Sequence, residues 1–346
     1  MAGHVTAFGP GRVNLIGEHT DYNQGLSLPF AISEGVTVSA EGLEEPRIEA
    51  VAVDLSEDSD SFWLAEVAPA DGWRGFVRGA VGELQRFGVP VAGARLSISG
   101  DVPQGAGLSS SAALEVALTL ALIAVAGADE PDRRELAKLC SRIENEWTGA
   151  QTGLLDQLAS LFGQRERALR IDFRSLDVQP VALELGSFRL ITLDSGEQHA
   201  NAASGYNERR SQCEQAATQL GLESLREATV SMIEERLSPP LSLRARHVVT
   251  DNARVDEAVA ALKDGDMDQL GRLLDASHAS LRDCYEISTP AVEDAVRRCK
   301  DAGALGARIM GGGFGGHVLA LLAPDATAPD EAVSVRPGPG ARVLDR

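Results

Sequence analysis

The stretch Pro103-Gln104-Gly105-Ala106-Gly107-Leu108-Ser109-Ser110-Ser111-Ala112-Ala113 limits what this chain can become more than any other. It follows Ala94–Ser99, whose apolar and polar residues alternate as in a strand. It precedes the apolar run Val116–Ala128, which is shorter than the roughly 20 residues a membrane span needs and reads as a buried helix. Glycines let backbone amides converge, and the helix that follows offers free N–H groups and the positive end of its dipole. Ser109, Ser110 and Ser111 can cap that helix or donate to phosphate oxygens, and a hydroxyl here can also reach Mg²⁺. The segment is not a P-loop, because no Gly-Lys-Ser/Thr closes it, nor a dinucleotide fingerprint, because serine replaces the third glycine. Taken alone, it fits a capped helix start equally well.

A chain of 346 residues has room for about two domains. Its 32 Lys+Arg against 51 Asp+Glu give a formal net charge of −19. Such a surface does not condense onto nucleic-acid phosphate or an anionic membrane, so a polyanion needs a local pocket with its own donors. The four cysteines show no C-x-x-C pairing, which fits reduced thiols in the cytoplasm. Met1-Ala2-Gly3-His4 does not read as the start of a secretory signal.

Strand patterns occupy 35–39, 47–53, 168–173, 188–194 and 317–322. Helical spacing marks 74–87, 133–147, 154–162, 207–220, 253–263, 267–281 and 291–302. Strands and helices mix without strict βαβ alternation, so the expected class is α+β. A boundary within Asp177–Pro180 would divide the chain into 1–178 and 179–346.

Three further segments carry chemistry. Gly9-Pro10-Gly11-Arg12-Val13-Asn14-Leu15-Ile16-Gly17-Glu18-His19-Thr20-Asp21-Tyr22-Asn23 reads as a loop, crowded with ionisable groups that are costly to bury without partners or a ligand. Carboxylates accept and histidine can donate, so Glu18, His19 and Asp21 suit a polyhydroxylated molecule; by themselves they also fit a solvated turn. Met310-Gly311-Gly312-Gly313-Phe314-Gly315-Gly316-His317 reads as close backbone approach that supports a site more than it contacts a ligand. Glu144 and Asp156 would stand about 18 Å apart on one straight helix. The break Thr148–Gly153 lets them come closer, with Thr152 as a candidate N-cap that puts Asp156 in the next helix's first turn. Asp156 lies in an apolar run and needs a partner, for which Arg12 is a candidate; a structural cap fits it as well as a catalyst.

Together these segments resemble the GHMP family of small-molecule kinases. Gly11–Tyr22, Gly205-Tyr206-Asn207-Glu208-Arg209-Arg210 and Ser280-Leu281-Arg282-Asp283 resemble its galactose-phosphorylating branch. The resemblance runs from about Phe8 to the end of the chain. It implies an N-terminal domain like the second domain of ribosomal protein S5, a ferredoxin-like C-terminal domain, and a site between them. Glu18, His19, Asp21, Gly153 and Tyr206 would hold sugar hydroxyls. Gly105, Ala106, Gly107, Leu108, Ser109, Ser110 and Ser111 would form the triphosphate loop. Ser111 and Glu144 would hold Mg²⁺, and Asp156 would face the sugar C1 hydroxyl beside Arg12. The chain departs from the family pattern at Asn23-Gln24-Gly25, at Ser195–His199 and at His317, positions that bear on sugar preference more than on chemistry.

The implied reaction is transfer of the ATP γ-phosphoryl group to the anomeric hydroxyl of α-D-galactose by a cytoplasmic monomer, with no nucleic-acid or membrane partner. A kinase for N-acetylgalactosamine, galacturonate or arabinose is the alternative within the same chemistry. A non-catalytic galactose sensor is the alternative outside it, but such sensors lose a Ser-Ala pair that is present here as Ser111-Ala112. Homoserine or mevalonate kinase activity leaves Glu18, His19 and Asp21 unexplained.

Overall fold

Strand pairing draws the first part of the segment expected to be a loop, Gly9–Asn14, into the second strand of the largest sheet, while the part that carries Glu18 and His19 stays a loop. In the computed structural model, which describes residues 3–102, 107–149, 152–197 and 202–345, His4–Asn14 is one continuous strand. Propensity alone would not extend a strand through Gly9-Pro10-Gly11. Its neighbour decides, with Arg12 opposite Ala31, Val13 opposite Phe30 and Asn14 opposite Pro29. Both glycines are required by what lies on top of them. A Cβ at Gly9 would sit 2.2 Å from the Ala113 carbonyl oxygen, and one at Gly11 would sit 2.6 Å from that of Leu108. The glycine-serine segment and its helix therefore rest directly on this strand.

In chain order the first half contains β1 (His4–Asn14), β2 (Leu26–Ser27), β3 (Pro29–Gly42), β4 (Arg47–Ala52), β5 (Asp58–Trp63), α1 (Trp73–Phe87) and β6 (Ala94–Gly100). There follow α2 (Ser110–Val125), α3 (Arg133–Arg142), α4 (Leu155–Phe162), β7 (Arg167–Asp172) and β8 (Asp177–Ala182). The second half contains β9 (Arg189–Asp194), α5 (Ala202–Leu220), α6 (Val230–Arg236), α7 (Leu241–Asp264), α8 (Met267–Asp283) and α9 (Pro290–Asp301). Four strands end it: β10 (Ala304–Ile309), β11 (His317–Leu322), β12 (Val333–Val335) and β13 (Arg342–Asp345).

The largest sheet runs β13-β1-β3-β6-β4-β5, antiparallel except for the β4–β6 pair. Helix α2 is apolar on nearly every side because β1 and β3 cover one side and α1, α3 and α4 the others. A second sheet runs β10-β11-β9-β12, with α8 and α9 packed on β10. A third, β2-β7-β8, lies between. The mixture is an α+β fold in two parts. The division expected after residue 178 falls inside β8, which pairs with β7 along its length, and β13 returns to the first sheet with Val343 opposite Ala7. Among the described residues no helix is long and apolar enough to cross a membrane.

Candidate active site

Arg12 projects from β1 toward the start of α4. Its Nε donates to Asp156 Oδ1 at 2.7 Å and its Nη2 to Asp156 Oδ2 at 3.0 Å, a bidentate pair that fixes the carboxylate plane. Arg12 Nη1 donates to the Gly107 carbonyl at 2.5 Å, and the Ser109 hydroxyl donates to Asp156 Oδ2. One guanidinium thus ties the glycine-serine segment to the carboxylate. Asp156 does lie in the first turn of α4, but Thr152 is not its cap: the cap position is Leu154, without a side-chain bond. The Thr152 hydroxyl instead donates to Glu144 Oε2 at 2.6 Å, because a buried carboxylate is the stronger acceptor.

Ser109 holds the N-cap position of α2 with φ +60° and makes no capping bond, since its hydroxyl is spent on Asp156. The first amides of α2 are therefore not closed off by a side chain, as an anion site at a helix start needs. Ser111, in the first turn, donates to Glu144 Oε1 at 2.9 Å. Glu144 lies on a π-helical turn, Ile143–Trp147, that continues α3. The helix does break after it, and this brings Glu144 and Asp156 to the same end of α2. Burial pushes the Glu144 carboxyl up, against the hydrogen bond from Thr152. Ser111 and Glu144 offer two hard oxygen donors beside that helix end. That is too few for an all-protein cage, and it suits Mg²⁺, which keeps waters and takes phosphate oxygens. No group of three or more His, Cys, Asp or Glu fit for a metal occurs among the described residues. Gly105 and Ala106 lie outside the described residues, as do Gln198 and His199.

On the other side of Asp156 is a cleft of about 290 Å³. It is lined by Arg12, Glu18, His19, Asp21, Thr152, Gly153, Asp156, Tyr206, Asn207, Gly311 and Gly312 among others. Glu18 Oε1 is engaged twice, by the Gly311 N–H at 2.9 Å and by Arg308 Nη2 at 3.1 Å. No described residue bonds Oε2, which is left for a ligand. The glycine cluster at 310–316 was expected mainly to support a site; Gly311 and Gly312 form part of the cleft wall itself. Burial pushes the Asp21 carboxyl up to about 6, with Asp156 and Glu18 adding to it, and the Tyr22 backbone hydrogen bond works in the opposite direction. Burial brings the His19 imidazole down to about 3, so it is neutral. Gly153 is glycine for a steric reason: a Cβ there would lie 1.7 Å from Asp21 Oδ2.

A second hollow of about 460 Å³ opens beside Ser110 and Ser111. Val36, Ile98, Val102, Trp73, Phe76 and Leu114 give it apolar walls. Nothing in the sequence reading flagged these residues, because side chains lining an apolar hollow have the same character as those filling a core.

Arg308, fully buried on β10, was also missed. Its Nη1 donates to the Asn14 and Leu15 carbonyls at 2.8 and 3.0 Å, so it joins the second sheet to the loop that carries Glu18.

Family models match the chain in three places: the GHMP kinases N terminal domain over residues 75–164, the GHMP kinases C terminal over 258–336, and the galactokinase galactose-binding signature over 2–41. The galactokinase of Mycobacterium tuberculosis is 43% identical over 334 residues, which is 94% of this chain and 91% of that one. That of Thermotoga maritima is 40% identical over 315 residues, covering 90% and 87%. The crystal structure of Lactococcus lactis galactokinase complexed with galactose superposes with a TM-score of 0.92 at 32% identity, over 99% of this chain and 95% of that one. A Methanococcus jannaschii mevalonate kinase shares the fold at TM-score 0.70 and 19% identity. The two-part fold, with a glycine-serine turn feeding a helix beside a carboxylate, is that of a GHMP small-molecule kinase. Within that group the chain belongs to the galactokinase family.

Proposed function

We propose that the chain transfers the γ-phosphoryl group of ATP to the C1 hydroxyl of α-D-galactose, giving α-D-galactose 1-phosphate and ADP. The observation that carries this reading is the Arg12–Asp156 pair, which stands between the amide end of α2 and the acidic cleft of Glu18 and Asp21.

Phosphoryl transfer depends mainly on positioning and charge stabilisation. Gly107–Ser111 and the α2 amides hold the triphosphate, and the apolar hollow beside Ser110 takes the base. Glu18, His19, Asp21, Gly153 and Tyr206 hold the sugar. Asp156 accepts the proton of the attacking hydroxyl, and Arg12 aims it and offsets charge on the transferring group. In a loose transition state the proton leaves late, so aim matters more than basicity. Ser111 and Glu144 would hold Mg²⁺, which when bound would offset negative charge on the triphosphate.

ADP release over galactose, 2-deoxygalactose, N-acetylgalactosamine, galacturonate, arabinose and glucose tests the proposal. Sustained turnover with galactose is expected. Galactose binding without turnover would make the chain a sensor, and turnover with another sugar alone would overturn the substrate.

Two results are expected at the sugar side. Gly153→Ala drives its methyl group into the Asp21 carboxylate and raises the galactose KM by about 10- to 100-fold, the worth of one charge-assisted hydrogen bond. ATP affinity measured separately stays unchanged. The pH dependence follows from the raised Asp21 carboxyl. Above about 6 it is ionised and accepts from the sugar; as pH falls through about 6 it protonates and that acceptor is lost. The galactose Kd, measured by calorimetry from pH 5 to 8, therefore rises on the acid side by about tenfold per pH unit at most. Asp21→Asn flattens that limb.

A further inference from the structure

Behind the acidic cleft four polar atoms form a single hydrogen-bonded chain. His19 Nδ1 lies 2.7 Å from the Tyr22 hydroxyl, which lies 2.9 Å from the Tyr285 hydroxyl, which lies 2.9 Å from Cys213 Sγ. The chain is held rigidly. The Tyr285 ring packs against His19 at 4.8 Å between centroids and against His247 at 4.5 Å. His247 is itself fixed by Ser280 Oγ at 2.9 Å and the Glu18 carbonyl at 3.1 Å. His19 has φ +58°, a left-handed conformation uncommon for a residue with a side chain. Its Nε2 is buried and, among the described residues, makes no hydrogen bond of good geometry, the Gly312 backbone being the polar group that favours a proton on the ring.

We infer that Tyr22, Tyr285 and Cys213 are positioning residues that hold His19 with Nδ1 bare and Nε2 protonated, so that the ring presents a donor to a sugar hydroxyl. The inference rests on the sugar reading of the cleft for its purpose, though not for its geometry. Burial keeps both phenols and the thiol protonated, so each has one hydrogen to place. A neutral imidazole nitrogen is by far the most basic of the four atoms and the best acceptor among them. Tyr22 therefore donates to Nδ1, Tyr285 donates to Tyr22, and the thiol, which the Asn23 side chain also meets, donates to Tyr285. Every link is then used, and the ring hydrogen is left on Nε2. The cleft needs that polarity. Glu18, Asp21 and Asp156 only accept when ionised, so a sugar hydroxyl donating to them has lone pairs to satisfy, and a bare Nε2 would add another acceptor.

The test is ring-nitrogen NMR on the full chain with labelled histidine and no sugar, His19 being assigned by comparison with His19→Gln. Nδ1 is expected at the position of an unprotonated nitrogen and Nε2 at that of a protonated one. Tyr285→Phe, which touches neither ring nitrogen, is expected to move His19 toward a mixture of tautomers. It should raise the galactose KM by about 3- to 10-fold with kcat within about twofold. Cys213→Ser keeps a donor and keeps the wild-type tautomer. A protonated Nδ1 in the wild type overturns the inference, as does an unchanged spectrum in both Tyr22→Phe and Tyr285→Phe. A changed tautomer with unchanged KM overturns its link to the sugar. If either tyrosine variant does not fold, the wild-type spectrum alone decides. Because the tautomer is read without ligand, its failure is separable from failure of the galactose assignment, which the sugar panel reads.

Discussion

Asp156→Ala is expected to lower kcat by roughly 10³- to 10⁴-fold, the upper range for a positioned proton acceptor, and to leave ATP affinity within about twofold. The separation follows from where the carboxylate stands. Among the described residues it meets the glycine-serine segment through Arg12 and Ser109, and it does not line the apolar hollow. The same change removes both charged contacts of Arg12 and leaves the Gly107 carbonyl. Arg12 is buried, so the variant also melts earlier. Asp156→Asn, which retains one acceptor oxygen, is therefore expected to recover stability without recovering rate. Single-turnover rates with saturating ATP and galactose, beside thermal melts, check both halves. A rate within tenfold of the parent protein in either variant would remove the proton-acceptor role.

The largest loss of stability is expected from Arg308→Met, about 3–5 kcal/mol in urea unfolding. Arg308 is fully buried, and Glu18, 3.1 Å away, is its counter-charge. Removing the guanidinium leaves a buried carboxylate held by one amide and strips a donor from the Asn14 and Leu15 carbonyls. An isolated buried charge costs far more than the pair it belonged to. Adding Glu18→Gln to Arg308→Met is expected to return part of that loss, because the orphaned charge is gone. A loss below about 1 kcal/mol in the single variant would show the pair to be a bystander.

Helix α1 was legible because Phe76, Val77, Ala80, Val81, Leu84 and Phe87 repeat at three- and four-residue steps, and the structure runs the helix over Trp73–Phe87. Strand β11 was legible in full, since a short apolar run after a glycine cluster has few other readings. β10 was not: its Ala304–Ile309 is buried on both faces, so no alternation marks it. β1 was hidden for the opposite reason. Its glycines and arginine look like a turn until one sees a helix start lying on Gly9 and Gly11. In the site, residue types pointed to Arg12, Glu18, Asp21, Glu144 and Asp156, and the structure pairs Arg12 with Asp156 and places the other three on the two sides of that pair. What local pattern does not hold is who partners whom. Thr152 looked like a cap and bonds Glu144, and Ser109 looked like a cap and bonds Asp156. Arg308 stood in an unremarked strand.

The pairing of Thr6 with Asp345 has a consequence for how the molecule is made. During synthesis β1 finds β3 soon after both emerge, and its other edge then stays bare until Arg342–Asp345 is translated. Only when β13 leaves the ribosome can that edge be covered. A nascent chain of this kind carries an open strand edge for most of its birth, the condition under which neighbouring chains join edge to edge.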